Sequence, residues 1–460
     1  MPDHVKLREL LEALTGQHAP HAQAFCDVAP HFPAGGLGYS QLNELLLLLG
    51  YDRVSQAFFQ FLVDGTSQYQ PGAELPSIEA LQVGVERARK MSLLFFGNVK
   101  FGFKKLAHDV DELSFYREST QPLDTVIFKR RHEPIHPVDP IPSDETYYLG
   151  YLVQKEIEDR LKSDPHNETA LADYRMLERV REKGIRNHTA YLMSDHIDVY
   201  VATSMRRRHE YLEVAELTNA VSKHETIRSL KLRWFDPTQA YCSDRIDKGL
   251  AEALMLKRAK CTLYLAQESD TLGKDSELAS TLAQGKPVIA YVPSPSEEEV
   301  ADSVSRLATL YSRSQASIIL ERLQAISPSL SWTDPQVRQW LDVPTEMDLP
   351  RATALLVKTT REHYNNRAET LRESHPLGIQ VNLDTGVANG VLVVRSVPLC
   401  AELILRIVTG SLEFSIEKKL LNGVEYHFLR ETVSGSIFRV MTGDAMLTNS
   451  FWNFYLETIE

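Results

Sequence analysis

Residues 261–293, CTLYLAQESDTLGKDSELASTLAQGKPVIAYVP, admit few folds. Residues 261–266 form an apolar run of strand length. Leu278, Ala279, Leu282 and Ala283 recur at helical spacing over residues 276–284, and residues 287–292 are a second buried-strand run. The pattern predicts strand, acidic loop, helix and strand. Asp270, Asp275 and Glu277 then fall in the loop and first helical turn beyond the end of the first of these strands, where open parallel sheets bind ligands.

The same alternation extends upstream. Residues 196–202 and 230–235 read as strands, and 207–223 and 247–259 as helices, the latter closing on Lys257 and Arg258 as the helix dipole prefers. Strands alternating with helices favour an α/β fold, a doubly wound parallel sheet with right-handed crossovers. Residues 1–190 read as a mainly helical N-terminal region, with helices over 5–14, 39–49, 53–63 and 78–95. A proline-rich break at 134–143 follows, then a charged helical pair at 147–162 and 169–183. The α/β core is expected over 191–330, its last part, 297–325, reading as one or two further helices. Residues 331–460 are expected as a third part: a polar linker over 327–343 leads to a helix at 351–373, and a strand-rich tail from 379 carries VLVVRSV and LEFSIEKKL.

Four segments of the core carry a resemblance: DVYVATSM (198–205), EALMLKRAKCTLYLA (252–266), ESDTLGKDSELA (268–279) and QGKPVIAYVP (284–293). Together they resemble the nucleoside 2-deoxyribosyltransferase family and its nucleotide N-glycosidase relatives, over roughly residues 195–293. The resemblance implies a flavodoxin-like core. It also implies that Tyr200 is the first-strand tyrosine, Asp270 the loop aspartate and Glu277 the catalytic glutamate. Glu252 matches the family's helix acid after a one-residue shift, and the spacing from Asp270 to Glu277 is one residue longer than the family's. Relatives fused to further domains resemble effectors of bacterial antiviral immunity, and the long flanks here fit that arrangement. In that family a neighbouring subunit completes the pocket, so the expected active form is a homo-oligomer or a complex with an activating protein partner that orders the loop 267–274.

The chemistry asks for these residue types in its own right. Breaking a ribose–base bond builds positive charge on the sugar, which a carboxylate can stabilise or attack, while a second acid serves the leaving base. Glu277 is the candidate for the first role, Asp270 for the second, with Tyr200 orienting the nucleophile. The plain alternative is that Asp275 and Ser276 cap a helix and Glu277 is a first-turn acid favoured by the dipole. Arg206, Arg207 and Arg208 precede a helix, where they make either an anion site for a nucleotide phosphate or a solvated charged face. An anion site would favour NAD or a deoxynucleoside monophosphate as substrate. Asp236, Glu252, Gly273, Asp275 and Ser276 complete the candidate substrate-binding set with Arg206 and Arg207.

Composition narrows the other classes. A net charge of -12 over 460 residues argues against a general nucleic-acid ligand, although the basic cluster 129–131 is a local contact candidate. Cys26, Cys242, Cys261 and Cys400 have no CxxC spacing, and no apolar run is long enough to span a bilayer, so a cytoplasmic setting without membrane contact is expected. His132, Glu133 and His136 match the zinc-protease pattern HExxH, but Pro134 and Pro137 break the helix that pattern needs. His18, His21, Cys26 and His31 are too irregularly spaced for a metal site, and neither a metal nor a cofactor is expected. Gly35, Gly36 and Gly38 follow no strand and do not make a phosphate loop. Two further classes stay open beside the enzyme: a nucleotide-binding sensor without catalysis, and a protein-interaction scaffold.

Overall fold

The computed structural model describes residues 25–66, 68–88, 131, 137–194, 196–268, 271–284, 286–373, 381–383, 386–389, 391–421 and 424–440. Asp270, the HExxH segment 132–136, His18 and His21 lie outside the described residues.

The fold is α/β, built on a five-stranded parallel sheet. Its strands are β1 (Ile197–Ala202), β2 (Trp234–Phe235), β3 (Ala259–Leu265), β4 (Val288–Tyr291) and β5 (Leu392–Val394), in the order β2-β1-β3-β4-β5. Register is set by pairs such as Val199↔Cys261, Leu263↔Ile289 and Ala290↔Val393. All six residues of β1 are buried, as befits a strand covered on both faces. Val199 and Val201 pack into a core with α1 (Arg208–Ser222) and the helix Val397–Thr409. Tyr200 and Ala202 face the opposite core, formed by α2 (Arg245–Arg258), α3 (Leu272–Ala283) and the long helix Leu349–Glu373. Helices thus cover both faces, compatible with a doubly wound core whose strand order turns between β1 and β3. A crevice opens at such a turn, beyond the carboxyl ends of the strands.

Three elements differ from the sequence expectation. The run VLVVRSV, expected in a separate tail, supplies β5: Val391–Val394 are fully buried, and an apolar run without alternation suits an edge position that neighbours cover on both faces. Residues 327–343, expected as a linker, form the short helices Leu330–Thr333 and Pro335–Asp342. There Val337 and Trp340 are buried in a helical core shared with Glu297–Tyr311, Gln315–Ile326 and the long helix 349–373. The strand expected at 230–235 shortens to Trp234–Phe235, because Leu230 is spent in a 3-10 turn ending at Lys231, whose φ of 47° takes the chain out of extended geometry.

The remaining tail strands, Phe414–Leu421, Val424–Glu431 and Ile437–Val440, join Gly386–Asn389 and Val381–Leu383 in a separate antiparallel sheet. Nearer the start of the chain, helices Tyr39–Leu48 and Gln56–Asp64 surround their own apolar core. That unit is fastened to the α/β core: Asn43 Nδ2 donates to the Thr409 carbonyl at 3.4 Å, and Arg53 to that of Ile407 at 2.9 Å. A buried ion cluster adds to this. Asp198 at the start of β1 pairs with Arg131 and lies 3.6 Å from Lys260, which also reaches Asp52 at 2.8 Å. No helix among the described residues is long and apolar enough to cross a membrane.

Candidate active site

Within β1, Tyr200 is 0% exposed, its ring stacked on Phe235 with centroids 5.0 Å apart. Strand alternation points it at α3, and its hydroxyl donates to Glu277 Oε1 at 2.8 Å. The two residues are 77 positions apart in sequence. Burial pushes the Tyr200 phenol well above its usual value, so it acts as a neutral donor.

α3 begins at Leu272, four residues before the start expected from its apolar spacing, because Thr271 caps it: the threonine side chain accepts from the Lys274 amide at 3.3 Å. Glu277 therefore stands in the second turn of the helix and is not a first-turn acid. The helix start is held from below. Lys274, 1% exposed, donates to the Leu265 carbonyl at 3.0 Å and lies 4.8 Å from the centre of the Tyr264 ring. Tyr264 donates to Asp275 Oδ1 at 2.9 Å and accepts from Arg367 at 2.7 Å.

Glu277 is partly buried, and its carboxyl is pushed up to about 8, first by burial and then by the negative charge of Glu252. The Tyr200 hydrogen bond and the charges of Lys248 and Lys274 oppose the shift. Glu252, on α2, is itself raised by burial, with Lys248 countering from 3.7 Å. The charge of Glu252 thus adds to burial in holding a proton on Glu277 near neutral pH.

The other predicted residues are placed as follows. Asp236 is buried and turns the chain after β2, accepting from the Thr238 amide at 2.8 Å and its hydroxyl at 2.7 Å; burial raises its carboxyl. Asp275 is held by Tyr264, and Ser276 is exposed and donates back to the Leu272 carbonyl at 2.7 Å. Gly273 lies in the first turn of α3 with open space where a Cβ would stand. The three arginines do not converge. Arg207 is ion-paired with Glu321, Arg208 bonds Tyr147 and sits 4.0 Å over its ring, and Arg206 is exposed. The backbone amides of Arg206 and Arg207, which a bound anion would need, both donate to Glu210 Oε2, at 2.5 and 2.9 Å.

Sequence reasoning missed Gln267. Its side chain accepts from the Ser204 amide at 2.7 Å and from Thr203 at 3.1 Å, tying the loop after β3 to that after β1. It is the first residue of the polar stretch QESD that follows the buried run, and nothing in that stretch singles it out. Among the described residues no group of three or more His, Cys, Asp or Glu side chains is placed to hold a metal ion. Comparison with family models, with curated proteins and with solved structures finds no match.

Proposed function

We propose that the protein is a nucleotide N-glycosidase, a hydrolase or transferase that cleaves a ribose–base bond at Glu277, on a deoxyribosyltransferase-like core. The observation that carries this reading is the Tyr200–Glu277 hydrogen bond between β1 and α3, with a second carboxyl, Glu252, close enough for its charge to raise Glu277. Ionised Glu277 attacks C1′ as the C1′–N bond breaks, and the base departs with the bonding electrons. Water, or a second base, then displaces the carboxylate. Glu252, whose carboxyl burial raises, is the described residue able to supply a proton to the leaving base, a role that Asp270 would share. NAD and deoxynucleoside monophosphates are the candidate substrates. With Arg207 and Arg208 engaged elsewhere, a phosphate contact at the turn after β1 rests on Arg206. The proposed setting is a regulated antiviral defence effector in the cytoplasm, active as an oligomer or with a protein partner. Ile246 and Leu250 on α2 and Leu272 at the start of α3 are exposed apolar side chains that such an assembly would cover.

The test is incubation with NAD and with deoxynucleotides, followed by chromatography for free base. The wild type is expected to release base and Glu277→Gln to lose at least about a hundredfold of that activity with its fold intact. Full activity in the variant would overturn the assignment. The pH profile separates the substrates. Nicotinamide leaves NAD as a neutral molecule and needs no proton, so its release should rise in one limb towards pH 8 as Glu277 ionises. Release of a purine or pyrimidine needs a protonated Glu252 as well, which gives a bell.

A further inference from the structure

Beyond the carboxyl ends of β3 and β4, between α1 and the helices at 297–326 and 349–373, lies a cavity of about 580 Å³ that neither Tyr200 nor Glu277 lines. Its volume is that of a small-molecule pocket. Val214, Leu217, Leu307 and Tyr291 give it apolar walls, and its charged lining is five carboxylates against two guanidinium groups. That balance repels phosphates and carboxylates and favours a cation.

Two polar groups in this lining are left for a ligand. Thr360 is 0% exposed, and its hydroxyl has no hydrogen-bond partner among the described residues, an uncommon state for a buried polar atom. Four of the carboxylates are engaged: Glu210 by backbone amides, Glu216 by Arg306, Glu268 by Arg322 at 2.8 Å, and Glu299 by the Ser296 amide. Glu213 makes no hydrogen bond or ion pair with another described residue. Burial and the charge of Glu268 push its carboxyl up to about 7, with Glu210 adding to the rise and Arg322 and Arg306 opposing it. A half-buried carboxyl that costs this much to ionise gains from a cationic partner.

We propose that this cavity is a second ligand site, for a small organic amine whose ammonium pairs with Glu213, whose apolar body lies against Val214 and Leu217, and whose second polar group bonds Thr360. It stands apart from the base-release reading and does not depend on it. The loop carrying Glu268 leads into α3 and Glu277, so an occupant would sit one loop away from the candidate nucleophile.

Tyramine is the probe, with an amine at one end and a phenol hydroxyl at the other. Tyrosol, which carries a hydroxyl in place of the amine, and 2-phenylethylamine, which lacks the phenol hydroxyl, are its controls. Calorimetry on the full chain is expected to give tyramine at least about a tenfold advantage over tyrosol, the usual worth of a charged hydrogen bond. Glu213→Gln should erase that advantage while leaving tyrosol binding unchanged. Thr360→Val should weaken tyramine and spare 2-phenylethylamine. Leu217→Trp, which fills the cavity without altering its charge, should abolish binding of all three and carries the test if Glu213→Gln does not fold. Equal binding of tyramine and tyrosol, binding of neither, or an advantage that survives Glu213→Gln or Leu217→Trp would overturn the proposal.

Discussion

Glu277 shows how a candidate functional group sets itself against stability. Its carboxyl has an ordinary value of 4.5 and is pushed up to about 8 in the folded protein, so the folded state holds a proton that the unfolded chain releases. The stabilising contribution of that proton is complete below about pH 4.5 and is lost as pH rises through 8. Glu277→Gln, which cannot ionise, should therefore melt close to the wild type at pH 4 and above it at pH 8. The gain expected is about 1–3 kcal/mol, reduced from the full shift because the side chain is partly solvated. Thermal melts of both proteins across this range check it, and a constant difference would show that burial does not hold the proton. The residue type and its acidic setting were legible in the sequence. Its coupling to Glu252 was not, because α2 and α3 meet only once the sheet has formed.

Among the elements, α3 decides where the proposed nucleophile stands. Apolar spacing predicts its start at 276, since Leu278, Ala279, Leu282 and Ala283 are the periodic residues. The helix gains its first turn from the Thr271 cap and from Lys274, whose buried ammonium finds the Leu265 carbonyl on the neighbouring strand. The latter is a contact between elements, which periodicity does not encode, and Gly273 masks the turn further by lowering its helix propensity. Thr271→Ala is expected to cost about 1 kcal/mol of stability and to slow base release by loosening the second turn. Thr271→Asp should restore both. Denaturant melts with activity assays on the two variants test this, and an alanine variant with wild-type turnover would show that the cap does not position Glu277.

For the whole molecule, segments far apart in sequence complete one sheet. A chain ending at residue 330 would lack β5, the helix 349–373 and the helix 397–409, which leaves the β4 edge and both apolar faces open. Such a truncation is expected to elute as aggregate in size-exclusion chromatography, whereas a monodisperse, folded product would show that the core closes without them. At the other end of the sheet, Lys260→Met removes the cation between Asp52 and the fully buried Asp198 and should cost roughly 3 kcal/mol in a denaturant melt. Lys260→Arg should retain part of it. The sequence by itself determined the local alternation of β1 to β4 with α1 to α3, because strand and helix periodicity are written in neighbouring residues. It also put Tyr200 on β1 and Glu277 on α3, although it set Glu277 one helical turn too early. Only the tertiary structure decided that VLVVRSV is the fifth core strand, that Arg207 and Arg208 turn to Glu321 and Tyr147, and that the charge of Glu252 raises Glu277. Each of those outcomes depends on which surfaces meet when apolar faces are buried, and a single stretch of sequence carries no record of its partner.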